Sequence, residues 1–115
     1  MKTIYNIDEA LDRISGTHLI GYIDNVTYND LMHALGEPIF STASGDDKVQ
    51  FEWVVKHDDE YFTIYDWKTY DRDFSMSYLR QWNIGGKGRL PNNFKSVLNG
   101  MIEASRDSDS THIKK

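Results

Sequence analysis

The chain contains no cysteine. That excludes disulfides, thiolate nucleophiles and thiolate metal sites. Only two prolines are present. No apolar run approaches the ~20 residues that a bilayer-crossing helix needs. The opening "MKTIYNIDEALDR" has no apolar centre of the kind a secretory leader carries. The expectation is a cytoplasmic protein. Acids are also missing from one zone: residues 74–102 hold Arg80, Lys87, Arg89 and Lys95 and no acid, whereas residues 1–73 hold fifteen acids and six bases. The net charge of −5 therefore hides an anionic body and one cationic zone.

Catalytic signatures are missing as well. There is no GxSxG, and the histidines, His18, His33, His57 and His112, stand far apart with no HExxH spacing. "SGDDK" lacks the spaced acids and terminal glutamate of a calcium loop. No catalytic residue, no metal and no cofactor is expected, and the chain reads as a non-enzyme. Overall negative charge with a patch of only four bases argues against direct nucleic-acid binding.

What the chain does have is aromatic residues, at 13 %, with seven tyrosines and three tryptophans. That exceeds the need of a core this small, so some are expected at a surface that binds something. At 115 residues one domain is expected, spanning 1–105 with a frayed polar tail at 106–115.

"NIDEALDRISG" reads as a first helix with Ile7, Leu11 and Ile14 on its apolar face. "HLIGYID" reads as a strand, with Gly21 at a bulge or close crossing. "VTYNDLMHALGEP" reads as a helix capped by Thr27 and Asp30 and ended by Gly36. "VQFEWVVK" and "YFTIYDWK" alternate and should form an antiparallel hairpin around "HDDE". "QWNIGG" reads as a further strand with Trp82 and Ile84 on one face. Phe94, Val97, Leu98, Met101 and Ile102 make the stripe of a terminal helix. The fold class expected is α+β: a small, mostly antiparallel sheet of about four strands, helices on one face, and a helix at each end.

Three stretches are candidate sites. "GGKGR", with Gly85, Gly86, Lys87 and Arg89 ahead of a helix, has two readings. Glycine backbone N–H groups and two cations could hold an anion, or the stretch could simply turn the chain. "IYDWK" offers Tyr65 and Trp67 as an aromatic floor, with Asp66 or Lys68 at its rim, or else core on one side and a surface ion pair on the other. Together with Trp82, the aromatics and the basic loop form one candidate ligand or partner site. The acids Asp46, Asp47, Asp58, Asp59, Glu60, Asp71 and Asp73 form a candidate face for a basic partner.

The ordered elements "GYI", "LGEP", "DKVQFEW", "TIYDWK" and "WNIGG", across residues 21–87, resemble a family of small proteins encoded by tailed bacteriophages. The resemblance brings no activity and no catalytic residue. What it implies is context: an accessory, counter-defence protein in the host cytoplasm, acting stoichiometrically. The expected function is inhibition of a bacterial defence component, for example of CRISPR–Cas type, through the acidic surface. The alternative is a sponge for a cyclic-nucleotide or ADP-ribose-type signal, held by the basic loop and nearby aromatics; self-association would help such a small domain enclose it.

Overall fold

The computed structural model describes residues 1–41 and 48–113, with side chains described as far as Arg106. The elements in chain order are β1 (Lys2–Thr3), α1 (Ile7–Ile14), β2 (His18–Ile23), α2 (Tyr28–Leu35), β3 (Glu52–His57), β4 (Glu60–Tyr65), α3 (Arg72–Ser77), β5 (Trp82–Gly86) and α4 (Phe94–Ile113). The protein is α+β, with one antiparallel sheet in the order β1-β3-β4-β5-β2. It has five strands where about four were expected, the addition being the two-residue β1, too short to show as a periodic run. α4 continues to Ile113, so its backbone passes the boundary that the polar composition had set at residue 105.

The β3–β4 hairpin pairs Trp53 with Ile64 and Val55 with Phe62. Its turn carries Asp58 at φ 50° and Asp59 at φ 67°, the left-handed pair that suits a two-residue hairpin. Period-two alternation sends Trp53, Val55, Phe62, Ile64, Trp82 and Ile84 to one face, where they join the main core. α2 and α4 cover that face with Leu31, Leu35, Phe94, Leu98 and Ile102.

Two buried tryptophans lock α2 to the sheet. Trp53 Nε1 donates to the Gly36 carbonyl at 2.8 Å, just past the helix end. Trp82 Nε1 donates to the Val26 carbonyl at 2.9 Å, just before its start. The two indoles meet edge-on at 5.6 Å. Each ring therefore buries a large apolar area and also satisfies its only donor. The expected cap is present: Thr27 and Asp30 form a reciprocal capping box, and Asp30 also accepts from Arg106 of α4 at 2.6 and 3.1 Å.

Helices do not all lie on one face. α1 packs on the opposite side of the sheet, where Ile4, Ala10 and Val54 make a second, smaller core with Ile14 and Tyr61 against it. Nor is the α1 apolar face the expected one, because Ile7 and Leu11 are exposed and Ala10 is the buried residue. Ala10 is small enough to let the helix approach Val54. The roll also points Glu9 at the sheet, where Tyr61 Oη donates to it at 2.7 Å. α1 shields only the β3–β4 turn half of this second face.

Candidate binding groove

The uncovered half of the second face carries a row of side chains set by strand register. Glu52 lies opposite Tyr65, Tyr65 opposite Asn83, and Asn83 opposite Tyr22, across β3, β4, β5 and β2. Above the row is a groove of about 530 Å³, within the range of small-ligand sites. Its aromatic walls are Tyr22, Tyr65 and Trp67; Leu19, Leu79, Gln81 and Asn83 complete it. Tyr65 and Trp67 meet edge-on at 6.3 Å.

Gly85 makes room for this platform. A Cβ at that position would sit 2.7 Å from Thr63 Cγ2 and 3.4 Å from Tyr65 Cε1. Gly86 is likewise hemmed in by Ile20 and Phe62. Both glycines are buried strand residues of β5, so the backbone N–H cradle expected of "GGKGR" is not formed by them. Close packing explains them instead. Lys87 and Arg89 follow the strand and are exposed. Lys87 lines a smaller hollow of about 180 Å³ with Arg13, Glu60 and Tyr61 at the hairpin-turn end of the sheet.

Trp82 does not belong to any surface site: it is 0 % exposed and bonded to Val26. It lies five residues from Lys87, at opposite ends of β5, ~16 Å apart at strand rise. The structure therefore keeps Tyr65, Trp67 and Lys68 together and separates them from Trp82, Lys87 and Arg89.

Asp66 is not a rim residue. Its carboxyl is fully buried. One oxygen accepts from the backbone N–H groups of Gln50 and Phe51 at 2.8 and 2.9 Å. The other accepts from the Ser75 hydroxyl at 2.7 Å and the Thr69 hydroxyl at 3.3 Å. This ties the segment after β4 to the chain before β3 and to α3, and so fixes where Trp67 and Lys68 point. Lys68 has φ 55°, and its N–H donates to the Lys48 carbonyl at 2.7 Å. Both lysine ammoniums lie 5.8 Å from the Trp67 ring centroid.

The acids fall into two groups. Asp58, Asp59 and Glu60 occupy the hairpin turn beside His57 and Lys56: Asp58 is 3.4 Å from the His57 ring and Asp59 is 3.9 Å from the Lys56 ammonium. Asp71 and Asp73 stand at the start of α3, held by Ser75 near the far end of β4, ~17 Å away along the strand. Asp71 is occupied as the helix cap, accepting from the Asp73 and Phe74 N–H groups. Asp46 and Asp47 lie outside the described residues.

Two groups in the cross-strand row are perturbed. Burial pushes the Glu52 carboxyl above its ordinary value, against the hydrogen bond from Thr63 that lowers it, while nearby Asp66 adds to the rise. Burial also raises the Tyr65 hydroxyl, opposed by its bond to Asn83 and reinforced by Glu52 and Tyr22. Tyr65 therefore stays a neutral phenol at neutral pH.

Sequence reasoning missed Tyr22, Leu19, Asn83, Gln81 and Leu79. Asn83 could have been found, since it alternates with Trp82 and Ile84 and so shares a face with Gly85. Tyr22 depends on β2 pairing with β5, a contact between distant segments. Among the described residues no three His, Asp or Glu side chains gather as a metal site would, and no helix is long and apolar enough to cross a membrane. Compared with protein-family models, curated proteins and solved structures, the chain matches none.

Proposed function

We propose that this chain is a non-catalytic binding protein that acts by occupying a surface of a partner protein, and that the partner is a component of a bacterial defence system. The observation that carries the reading is the run from 67 to 78. Trp67, Tyr70, Phe74, Met76 and Tyr78 are all large, apolar and exposed, Tyr78 by 70 %. Such a concentration is a mark of interaction surfaces rather than of inert ones. The segment borders the groove through Trp67 and Leu79, and Asp71 and Asp73 give it an acidic fringe. Aromatic anchors with a charged rim are the composition of a protein-binding hot spot. The likeness of residues 21–87 to tailed-phage proteins supplies the counter-defence context. The two-group layout of the acids favours this aromatic surface over an acid-only face as the main contact.

The test has two parts. A host carrying a defined defence system, such as a CRISPR–Cas effector, is challenged with a sensitive phage with and without the chain. The purified effector and chain are then co-eluted by size exclusion. Restored plating together with a complex of fixed stoichiometry supports the proposal. If no defence system tested is relieved and no complex forms, the proposal fails. Affinity that falls as salt rises would give the acidic fringe a share in the contact, whereas a flat response would assign binding to the aromatics alone.

A further inference from the structure

β2 is an edge strand of the sheet, and its outer side is bare. Among the described residues, no backbone group of His18–Ile23 is hydrogen-bonded outside the β2–β5 ladder. A row of unpaired N–H and C=O groups is a template for another strand, and folds usually blunt it with charge, proline or brevity. The opposite edge is blunted in this way, since β1 has two residues and one is Lys2. β2 has six residues, "HLIGYI", with no acid, lysine, arginine or proline. Its Leu19 and Tyr22 are each 43 % exposed. The bulge between Leu19 and Gly21 gives this strand a symmetric pattern of faces. Leu19 and Tyr22 pair with Gly85 and Asn83 and share the groove face. His18, Gly21 and Ile23 pair with Gly86, Ile84 and Trp82 on the core face, and Ile20 joins the core beside them. From either end the faces read core, groove, core, core, groove, core.

We propose that β2 is a self-association edge, on which two copies of this chain pair β2 with β2, antiparallel, about a two-fold axis at the bulge. In that register Leu19 lies across from the partner's Tyr22, Ile20 from the partner's Gly21 and His18 from the partner's Ile23. Cross-strand neighbours share a face of the sheet, and the symmetric pattern meets that condition along the whole strand. A strictly alternating strand of six residues, paired end to end in the same way, fails it at every position. Charge agrees with the arrangement. Lys87 and Arg89 follow β5 at the end where Gly86 pairs with His18, and Asp24 follows β2 at the other end; all three are exposed. Antiparallel pairing sets the cationic end of each copy beside the partner's Asp24, so two chains of net charge −5 meet where opposite charges attract. The contact uses the same edge on both copies and therefore closes at two. The groove ends at Leu19 and Tyr22, so each copy adds these side chains to the wall of the other's groove. The inference is independent of the partner-protein reading, since Trp67, Phe74 and Tyr78 take no part in the strand pairing.

The test is sedimentation equilibrium of the whole chain from micromolar to millimolar concentration, paralleled by amide hydrogen exchange. A reversible rise from one chain mass to two is expected, with no larger species and with slower exchange in residues 18–23 as the dimer forms. Two variants check the register. Leu19→Asp and Tyr22→Lys each remove an apolar cross-strand pair, twice per dimer by symmetry, and should weaken self-association about tenfold or more. Mixing the two variants should restore it, because the introduced carboxylate then faces the introduced ammonium while the second pair keeps Leu19 against Tyr22. A monomer at every concentration overturns the proposal. So does a dimer in which residues 18–23 exchange as freely as in the monomer, since its contact lies elsewhere. A dimer unweakened by either variant, or a mixture of folded variants that associates no better than each alone, overturns it as well. Melting temperatures near the parent's show that the variants fold; if they do not, exchange in the unaltered chain decides.

Discussion

The carboxyl of Asp66 accepts the backbone N–H of Phe51 at 2.9 Å, although fifteen residues separate them. With Gln50 N–H on the same oxygen and Ser75 on the other, one side chain closes the end of the β3–β4 hairpin and docks α3. Asp66→Ala removes, inside the protein, the acceptor shared by two backbone N–H groups and two hydroxyls. The expected loss is on the order of 3 kcal/mol, since each buried unsatisfied group costs about 1–3. Asp66→Asn keeps one accepting oxygen and should lose less than the alanine variant. Urea denaturation followed by circular dichroism measures both. A loss under about 1 kcal/mol for Asp66→Ala would show that water satisfies these donors and that Asp66 is not the anchor.

This residue also shows what the chain made legible. The hairpin, the Thr27 cap and the α2 end at Gly36 were readable because each depends on residues close in sequence. The α+β class followed from their order. Asp66, by contrast, alternates with Ile64 on the core side, yet nothing local says that a carboxyl there will meet Gln50 and Ser75. The same limit hid the groove. Tyr65 and Trp67 were visible as an aromatic floor, but Tyr22 joins them only through the β2–β5 pairing. Gly85 and Gly86 misled because glycine serves loops and tight packing equally, and only the neighbours distinguish the two. Ile7 and Leu11 misled because helical periodicity marks an apolar stripe without saying how much sheet remains to cover it.

Gly85→Ala separates the packing role of that glycine from a loop role. The added methyl meets Thr63 Cγ2 at 2.7 Å, so the Thr63 side chain must give way, and it reaches contact with Tyr65 Cε1 at 3.4 Å. A cost of about 1–3 kcal/mol is expected, as for other overpacked sites. Gly88→Ala meets nothing within 4 Å and should change stability by no more than about 0.5 kcal/mol. Thermal melts of the pair settle the comparison. Equal effects at the two positions would contradict the assignment of Gly85 to the aromatic platform.

Glu52 gives the fold a pH dependence of definite sign. Burial raises its carboxyl above the reference value of 4.5, with Asp66 adding to the rise and the Thr63 hydrogen bond opposing it. The folded protein therefore holds this proton to higher pH than the unfolded chain does. The associated stability is complete below the unfolded value and is lost as pH rises through the folded one. Glu52→Gln can retain the Thr63 bond and removes the ionisation. Its melting temperature should match or exceed the parent's at neutral pH, and its rise relative to the parent should begin above pH 4.5. A variant that is less stable than the parent at neutral pH, with an unchanged pH profile, would mean that the charge itself is stabilising.

Tyr78 and Trp67 should be dispensable for folding and required for binding. Tyr78 is 70 % exposed, and its ring touches Phe74 at 5.9 Å; Trp67 has one edge-on neighbour in Tyr65. Truncating such exposed rings changes stability by about 0.5 kcal/mol or less, whereas an aromatic anchor at an interface is worth about 2 kcal/mol or more. Tyr78→Ala and Trp67→Ala are therefore expected to melt near the parent temperature while weakening the partner complex some thirtyfold or more, an approximate conversion of that energy. A loss of affinity with Tyr78→Ala alone would centre the contact on α3, and a loss with Trp67→Ala alone would centre it on the groove. A complex unchanged in both variants would leave the exposed run at 67–78 without a binding role, and the proposed mode of action would fall with it.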